Sequence, residues 1–492
     1  MKKTYKRLIV IAIALFSLVS CKKELNQEPV SSISASSFWK TENDATGALY
    51  GMYARLRNVT STNLFLWGEA RSMDLKQSIG NDFPNVRTFD NTLDATAAGP
   101  DWNSLYTVIS DANLILANVP QIPFAVEANK DNILAQAYSM RAFCYFVIAR
   151  TWGAAPIVIE PTTSYDPTKI YRERSPVADI FKLIKDDITA ANGLFANNNF
   201  ATLRSLWSKP ALNALKGDVY LWTGKKLNGG AVDFQTALDA FNAVDASNVT
   251  LLPAFKDIFD YSNKNNKEII VSNNFSLLEA GSTFMSYMGA GALPTDVPQS
   301  TKDSIGISGG SAYWGLTDQT RLMFNVDDQR KKATFIEVYR KNAVTGLYTN
   351  LYVVAQRKFL GVADAGTQKF LSDVILYRYG GVLLLKAEAE NALNLDPSNS
   401  INLVRKRAYG ANYASHAFVS GAKAYNDSII LNERLQETLY EGTYWWDIIR
   451  NDKAKERIAY FQANPTQTYR YLWPLSLNIL SLEPKATQNP GY

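Results

Sequence analysis

The chain is poor in the residues on which most site chemistry is built. Its 492 residues hold one histidine and two cysteines. A single imidazole excludes a histidine metal cluster, and any Ser-His-Asp triad has to be built on His416 alone. That residue, in Tyr413-Ala-Ser-His-Ala-Phe418, reads as an ordinary loop or surface histidine. No G-x4-G-K-[S/T] phosphate loop occurs, and Gly289-Ala-Gly291 lacks the third glycine and flanking strand of a dinucleotide loop. Carboxylates are plentiful, but no spacing singles out the pair a glycosidase needs. Cys144, between Phe143 and Phe146, has no disulfide partner once Cys21 is accounted for and reads as a small buried hydrophobe.

The beginning of the chain explains both Cys21 and the charge. Met1-Lys2-Lys3-Thr4-Tyr5-Lys6-Arg7 is a basic leader, followed by an uncharged apolar run over residues 8–19. That run is shorter than the ~20 residues a membrane span requires and has signal-peptide form. Leu18-Val19-Ser20-Cys21 then resembles the lipobox of bacterial lipoproteins, in which the cysteine becomes the acylated N-terminus. Residues 1–20 are therefore expected to be removed, with Cys21 lipidated and residues 21–37, polar and Ser-rich, serving as a tether. The formal charge of +5 belongs mostly to that leader: without it 47 basic residues face 46 acidic ones. Nothing in that balance points to nucleic acid.

What the chain does have is helical periodicity. In residues 212–244, Leu215, Val219 and Trp222 fall on one helical face, and so do Phe234, Ala237, Leu238 and Phe241. Asn228-Gly229-Gly230 separates them as a helix stop, and Ser208 with Pro210 suits the start. Gly217-x2-Tyr220 followed by Ala237-x3-Phe241 matches part of the tetratricopeptide pattern, although Asn213 and Lys216 replace its Trp and Leu. One such pair cannot bury its own apolar face, so neighbours are expected. The phrase "apolar, basic, small" in Leu215-Lys216-Gly217 returns as Met140-Arg141-Ala142 and Leu385-Lys386-Ala387. These predict helix pairs at 134–152 with 177–194 and at 382–395 with 401–409, and 429–450 starts a fourth. Helices are also expected over 45–57 and 102–119.

Between the helices lie two long polar insertions, about 60–100 and 275–330, expected as loop with at most a short helix. Residues 268–271 read as a strand, and 334–340 with 350–356 read as a β-hairpin across Thr345-Gly346. The expected fold class is mainly α: a tetratricopeptide-like helix-pair scaffold with long irregular insertions and a small β-hairpin, forming a single domain over 38–492.

The whole chain resembles the SusD/RagB family of outer-membrane nutrient-binding lipoproteins of Bacteroidota. The resemblance rests on Cys21 after its lipobox, Phe38-Trp39-Lys-Thr-Glu-Asn-Asp44, Ala135-Gln-Ala-Tyr-Ser-Met-Arg-Ala-Phe-Cys-Tyr-Phe146 and Trp152-Gly153. It continues through Tyr377-Arg378-Tyr379, Glu433-Arg434, Glu441-Gly442, Asp447-Ile-Ile-Arg450 and the terminal Gln488-Asn-Pro-Gly-Tyr492. It implies a lipid-anchored surface protein that captures an oligosaccharide, or sometimes a peptide, and delivers it as the lid of a partner SusC-like TonB-dependent transporter. It implies no catalysis and no cofactor, and it places the ligand site in the variable insertions.

A sugar site needs flat aromatic faces and a few polar side chains. Eight of the ten tryptophans sit in or beside scaffold helices or the tail motif; Trp67 and Trp314 remain, one per insertion, as candidate platforms. Tyr313, Tyr287, Phe83 and Phe65 are further stacking candidates. Asp74, Asn81, Arg87 and Gln319 are candidate hydroxyl partners, with Glu69, Arg71, Asp82, Gln299 and Asp318 nearby. Two other classes remain: a protein-binding repeat scaffold, which predicts no aromatic site in the insertions, and a surface glycoside hydrolase, which predicts paired carboxylates in a cleft.

Overall fold

The computed structural model describes residues 38–79, 83–162, 166–278 and 281–492. The leader, Cys21, the tether, Asn81 and Asp82 lie outside the described residues.

Helix α1 (Glu42–Thr60) begins where Thr41 and Asp44 cap each other reciprocally, side chain to backbone in both directions. The first insertion follows. It is not loop throughout: α2 (Asn63–Gly68), strand β1 (Leu75–Gln77) and α3 (Phe83–Phe89) form within it. Helices α4 (Asn103–Asn118) and α5 (Glu127–Trp152) come next, then α6 (Val177–Leu194). From Ile133 onward all but one residue of α5 is buried, as befits a helix apolar on every side.

The central pair is α7 (Lys209–Lys226) and α8 (Gly230–Asp245). Its glycine does what the repeat pattern requires: a Cβ on Gly217 would lie 2.2 Å from the Phe241 ring. The basic residue of the two other copies of the phrase also has a task. Arg141 makes a two-pronged ion pair with Asp187 of α6 at 2.9 and 2.7 Å, and the ammonium of Lys386 bonds Asp245 of α8.

Strand β2 (Ile269–Asn273) closes the irregular stretch after α8. The second insertion contributes α9 (Thr283–Met288), β3 (Trp314–Leu316) and α10 (Asp318–Arg321). Helix α11 (Gln329–Thr334) leads into the expected hairpin, β4 (Phe335–Lys341) against β5 (Tyr348–Gln356). A smaller hairpin, β6 (Val362–Asp364) with β7 (Thr367–Lys369), precedes β8 (Val374–Arg378), which pairs antiparallel with β2. Helices α12 (Tyr379–Ala392), α13 (Ser398–Tyr409), α14 (Lys423–Thr438) and α15 (Tyr444–Arg450) follow, and short helical segments continue as far as Leu482. The stretch expected as one helical start at 429–450 is two helices, broken where Tyr440 and Gly442 take φ of 73° and 75°.

One contiguous core runs from Ala45 to Ala486. Cys144 is buried in it as a free thiol, and His416 is half-buried, stacked on Tyr409 at 3.8 Å and bonded to Asp327 at 2.8 Å. The tail is stitched in by Asn489, whose side-chain amide donates to the carbonyls of Trp152 and Trp473. Among the described residues no helix is long and apolar enough to cross a membrane.

Candidate functional site

The two insertions, more than two hundred residues apart, meet in an antiparallel ribbon: Leu75 pairs with Leu316, Lys76 with Gly315 and Gln77 with Trp314. Backbone carbonyls of the turn before β1 lock it. The Thr317 amide donates to the Asp74 carbonyl and its hydroxyl to the Met73 carbonyl, both at 2.9 Å. Tyr313 is tied in on both sides: its carbonyl accepts from the Ser78 amide, and its amide donates to the Tyr287 carbonyl.

Strand alternation then decides which aromatics face out. Trp314 points inward and is fully buried, stacked on Phe65 at 5.8 Å with Phe89 and Tyr287 at its edges. Tyr313, one residue earlier, takes the opposite face and is half-exposed. Its ring centroid lies 5.2 Å from that of the half-exposed Tyr287 at a 48° tilt. Lys76, cross-strand from Gly315, shares the Tyr313 face. Asp318 and Gln319 are exposed just beyond β3, and Arg321 links Asp318 to Glu337 at 2.9 Å each. Arg321, with Lys76 adding to it, holds the Asp318 carboxyl below its ordinary range. At the Tyr313 end of the ribbon two tilted, partly buried phenol rings therefore lie beside both donors and acceptors. That is a chemistry suited to stacking a ring and hydrogen-bonding its hydroxyls.

Several of the sequence-predicted residues are not on that face. Trp67 is fully buried, its indole N–H donating to the Pro100 carbonyl at 2.9 Å and its ring set edge-on to Trp152. A solvent-facing platform therefore forms at neither Trp67 nor Trp314. Short elements inside the insertions turn both rings into the core, and no periodicity in the sequence announced those elements. Phe65 is stacked between Phe284 and Trp314. Arg71 lies under Trp445 with its guanidinium on Asn91 and backbone carbonyls. Arg87 is spent on Asp94 at 2.6 Å and on the Thr92 carbonyl, and it is the main cause holding the Asp94 carboxyl below its usual range. Phe83 opens α3, its side chain outside what the structure describes. Gln299 opens a short helix and bonds Asp303.

Glu69 and Asp74 are both fully buried and serve the frame. Glu69 accepts from the amides of Tyr440, Gly442 and Thr443, and so ties the first insertion to the break between α14 and α15. Asp74 touches the hydroxyls of Ser72 at 2.6 Å and Thr320 at 3.0 Å. Ser72 has one proton, and the Glu69 carbonyl, 2.5 Å from the same hydroxyl, can only accept. The Asp74 contact is satisfied when its carboxyl is protonated and donates. Burial raises the pKa of both acids, and for Glu69 the charge of Asp74 adds to it. The folded chain thus keeps protons that the unfolded chain releases. Stability from this pair is fullest below the ordinary values of 4.5 and 3.8 and is lost as pH rises toward the folded ones. Asp74→Asn, which copies the protonated acid, is expected to raise the melting temperature at pH 8.5 by at least ~2 °C and to change it little at pH 4. An equal effect at both pH values would refute this account.

A family model described as the SusD family matches residues 267–492, and one described as starch-binding associating with outer membrane matches 42–221. SusD-like protein P38 of Formosa agariphila is 28% identical, with 98% of both chains covered. Among solved structures, NanU of B. fragilis is 30% identical with a TM-score of 0.83, covering 94% of this chain and 99% of its own. A SusD superfamily protein of Bacteroides vulgatus is 28% identical, also with a TM-score of 0.83, covering 92% of this chain and 100% of its own.

Proposed function

The chain belongs to the SusD family, and from that premise we propose that it is a non-enzymatic glycan-capturing lipoprotein of the outer-membrane surface. In this reading residues 1–20 are a signal peptide, Cys21 carries the lipid, and residues 21–37 tether one domain spanning 38–492. The ribbon of β1 and β3 holds an oligosaccharide, and a TonB-dependent outer-membrane transporter receives it with this protein as its lid. The observation that carries the reading is the tilted, partly buried Tyr287–Tyr313 pair at the end of that ribbon, where both insertions converge. Lys76, Asp318 and Gln319 supply hydroxyl partners in it, and the starch-binding description of the family model over 42–221 favours a glycan. Glu69 and Asp74 are fully buried and bonded within the frame, so this pair does not favour a hydrolase.

Calorimetric titration of the purified full-length protein against a panel of neutral oligosaccharides and peptides tests this. Tyr313→Ala is expected to weaken the sugar that binds by about tenfold, the worth of one stacked ring. A bound sugar indifferent to Tyr313→Ala would move the site elsewhere, and binding of peptides alone would replace the ligand class.

A further inference from the structure

Away from the ribbon, a cleft of about 450 Å³ opens between the turn over residues 254–261, helix α11 and the turn after β5. Phe259, Tyr261 and Leu360 give it an apolar lining, and Lys256, Lys332, Arg357 and Lys358 line it against a single carboxylate, Asp260. We propose that this cleft is a second ligand site, one that takes an acidic sugar by its carboxylate or sulfate group.

The polar groups of the lining differ in the capacity they have left. Apart from the second oxygen of Asp260, the side-chain acceptors are spent: Asp260 Oδ1 takes both the amide and the hydroxyl of Ser262, and the Gln329 carbonyl oxygen takes the Phe255 amide while its amide bonds the Arg407 carbonyl. Lys358 turns its ammonium inward to Glu441 and to the carbonyls of Glu437 and Leu439, so only its stem faces the cleft. What remains open is a set of donors. Lys332 is exposed, and among the described residues its ammonium has no partner. The Arg357 guanidinium meets only the neutral Ser304, at 3.2 and 3.4 Å. Lys256 pairs with the surface carboxylate of Asp257 and also feels the charge of Asp260. The Tyr261 hydroxyl has no hydrogen-bond partner among the described residues.

A neutral sugar brings hydroxyl donors as well as acceptors and would find only the second Asp260 oxygen among the lining side chains to accept them. An anion on an apolar ring matches both halves of the lining, because guanidinium and ammonium bond carboxylate and sulfate oxygens more strongly than neutral ones. The volume falls within the range of ordinary small-ligand pockets. This site does not depend on the ribbon reading.

The test is calorimetry of the full-length chain with tetragalacturonate, its methyl ester, a sulfated tetrasaccharide and sodium sulfate. At least one charged sugar is expected to bind, about tenfold tighter than the ester and more weakly as salt rises; which one binds tells carboxylate from sulfate. Lys332→Gln and Arg357→Gln should each lower that affinity about tenfold, whereas Lys455→Gln, an exposed cation outside the cleft, should not. Lys332 is at the surface, so Lys332→Gln decides if Arg357→Gln fails to fold. Four results would overturn the proposal: no charged sugar binding, the ester binding as well as the acid, sodium sulfate alone binding as tightly as the sugars, or a loss caused by Tyr313→Ala and by neither cleft variant.

Discussion

Arg378→Met is expected to cost about 3–5 kcal/mol of folding stability at pH 7, read as a lower urea midpoint. Arg378 ends β8 with its side chain fully buried. Its guanidinium bonds Glu441 through two nitrogens, Glu268 at 3.1 Å, and both the carboxylate and the carbonyl of Glu437 at 2.6 Å. Arg407 and Arg330 reach Glu437 from other sides, and Lys358 reaches Glu441. One buried knot of charge thus joins the strand before α12, the end of α14, helices α11 and α13 and the segment after β5. Methionine fills the volume but leaves carboxylates in the core short of their counter-charge, and an unpaired buried charge costs far more than the pair contributed.

The same knot sets a pH signature. Burial alone would raise Glu437, but Arg407, Arg378 and Arg330 outweigh it and hold its carboxyl below the ordinary 4.5; Arg378 and Lys358 do the same for Glu441. Stability from such depressed acids is present above the ordinary value and is lost as pH falls through the folded one. Without Arg378 those acids protonate more readily in the folded state. The deficit of Arg378→Met should therefore narrow below pH 4.5. A deficit under ~1 kcal/mol at pH 7, or one that widens on acidification, would show that the knot is not coupled as the geometry implies.

Trp314→Ala is the second large effect, at about 3–5 kcal/mol, and Trp67→Ala belongs with it. Both indoles are fully buried among other aromatics. Truncating either opens a ring-sized cavity in the core, under the ribbon for Trp314 and against Trp152 for Trp67, rather than removing an exposed platform. Thermal melts separate the two cases. A platform mutant would melt with the wild type and bind less; the structure requires a lowered melting temperature. Where the Trp314→Ala chain remains folded, the Tyr313 face should still bind sugar, because the two side chains leave opposite faces of β3. An unchanged melting temperature in either variant would place that indole at the surface and refute the burial.

The scaffold was legible in the sequence because helix pairs announce themselves locally. Gly217 and Phe241 occur at repeat spacing, Asn228-Gly229-Gly230 stops a helix, and Thr41 with Asp44 starts one, each within a few residues of chain. The hairpin of β4 and β5 was equally local. The family signature could likewise be read in order along the chain, and many of its residues prove to be buried anchors, such as Arg378, Glu441 and Asn489.

The candidate site was legible only as an address. Composition pointed to the two insertions, and the ribbon proposed to hold the ligand is built where they meet. Which aromatic faces out was not readable, because β1 and β3 are three residues each and their pairing spans more than two hundred residues of sequence. A strand that short shows no alternation of its own, and one step along it exchanges Trp314 for Tyr313. The cleft between α11 and the turn after β5 had no local signal either, since its open donors are defined by what Ser262, Phe255 and Glu441 have already taken up. Sequence alone determined the helical repeat, the expected leader and the family. Long-range pairing decided which polar and aromatic groups the folded chain leaves free to meet a ligand, because a hydrogen bond made inside the fold is no longer available outside it.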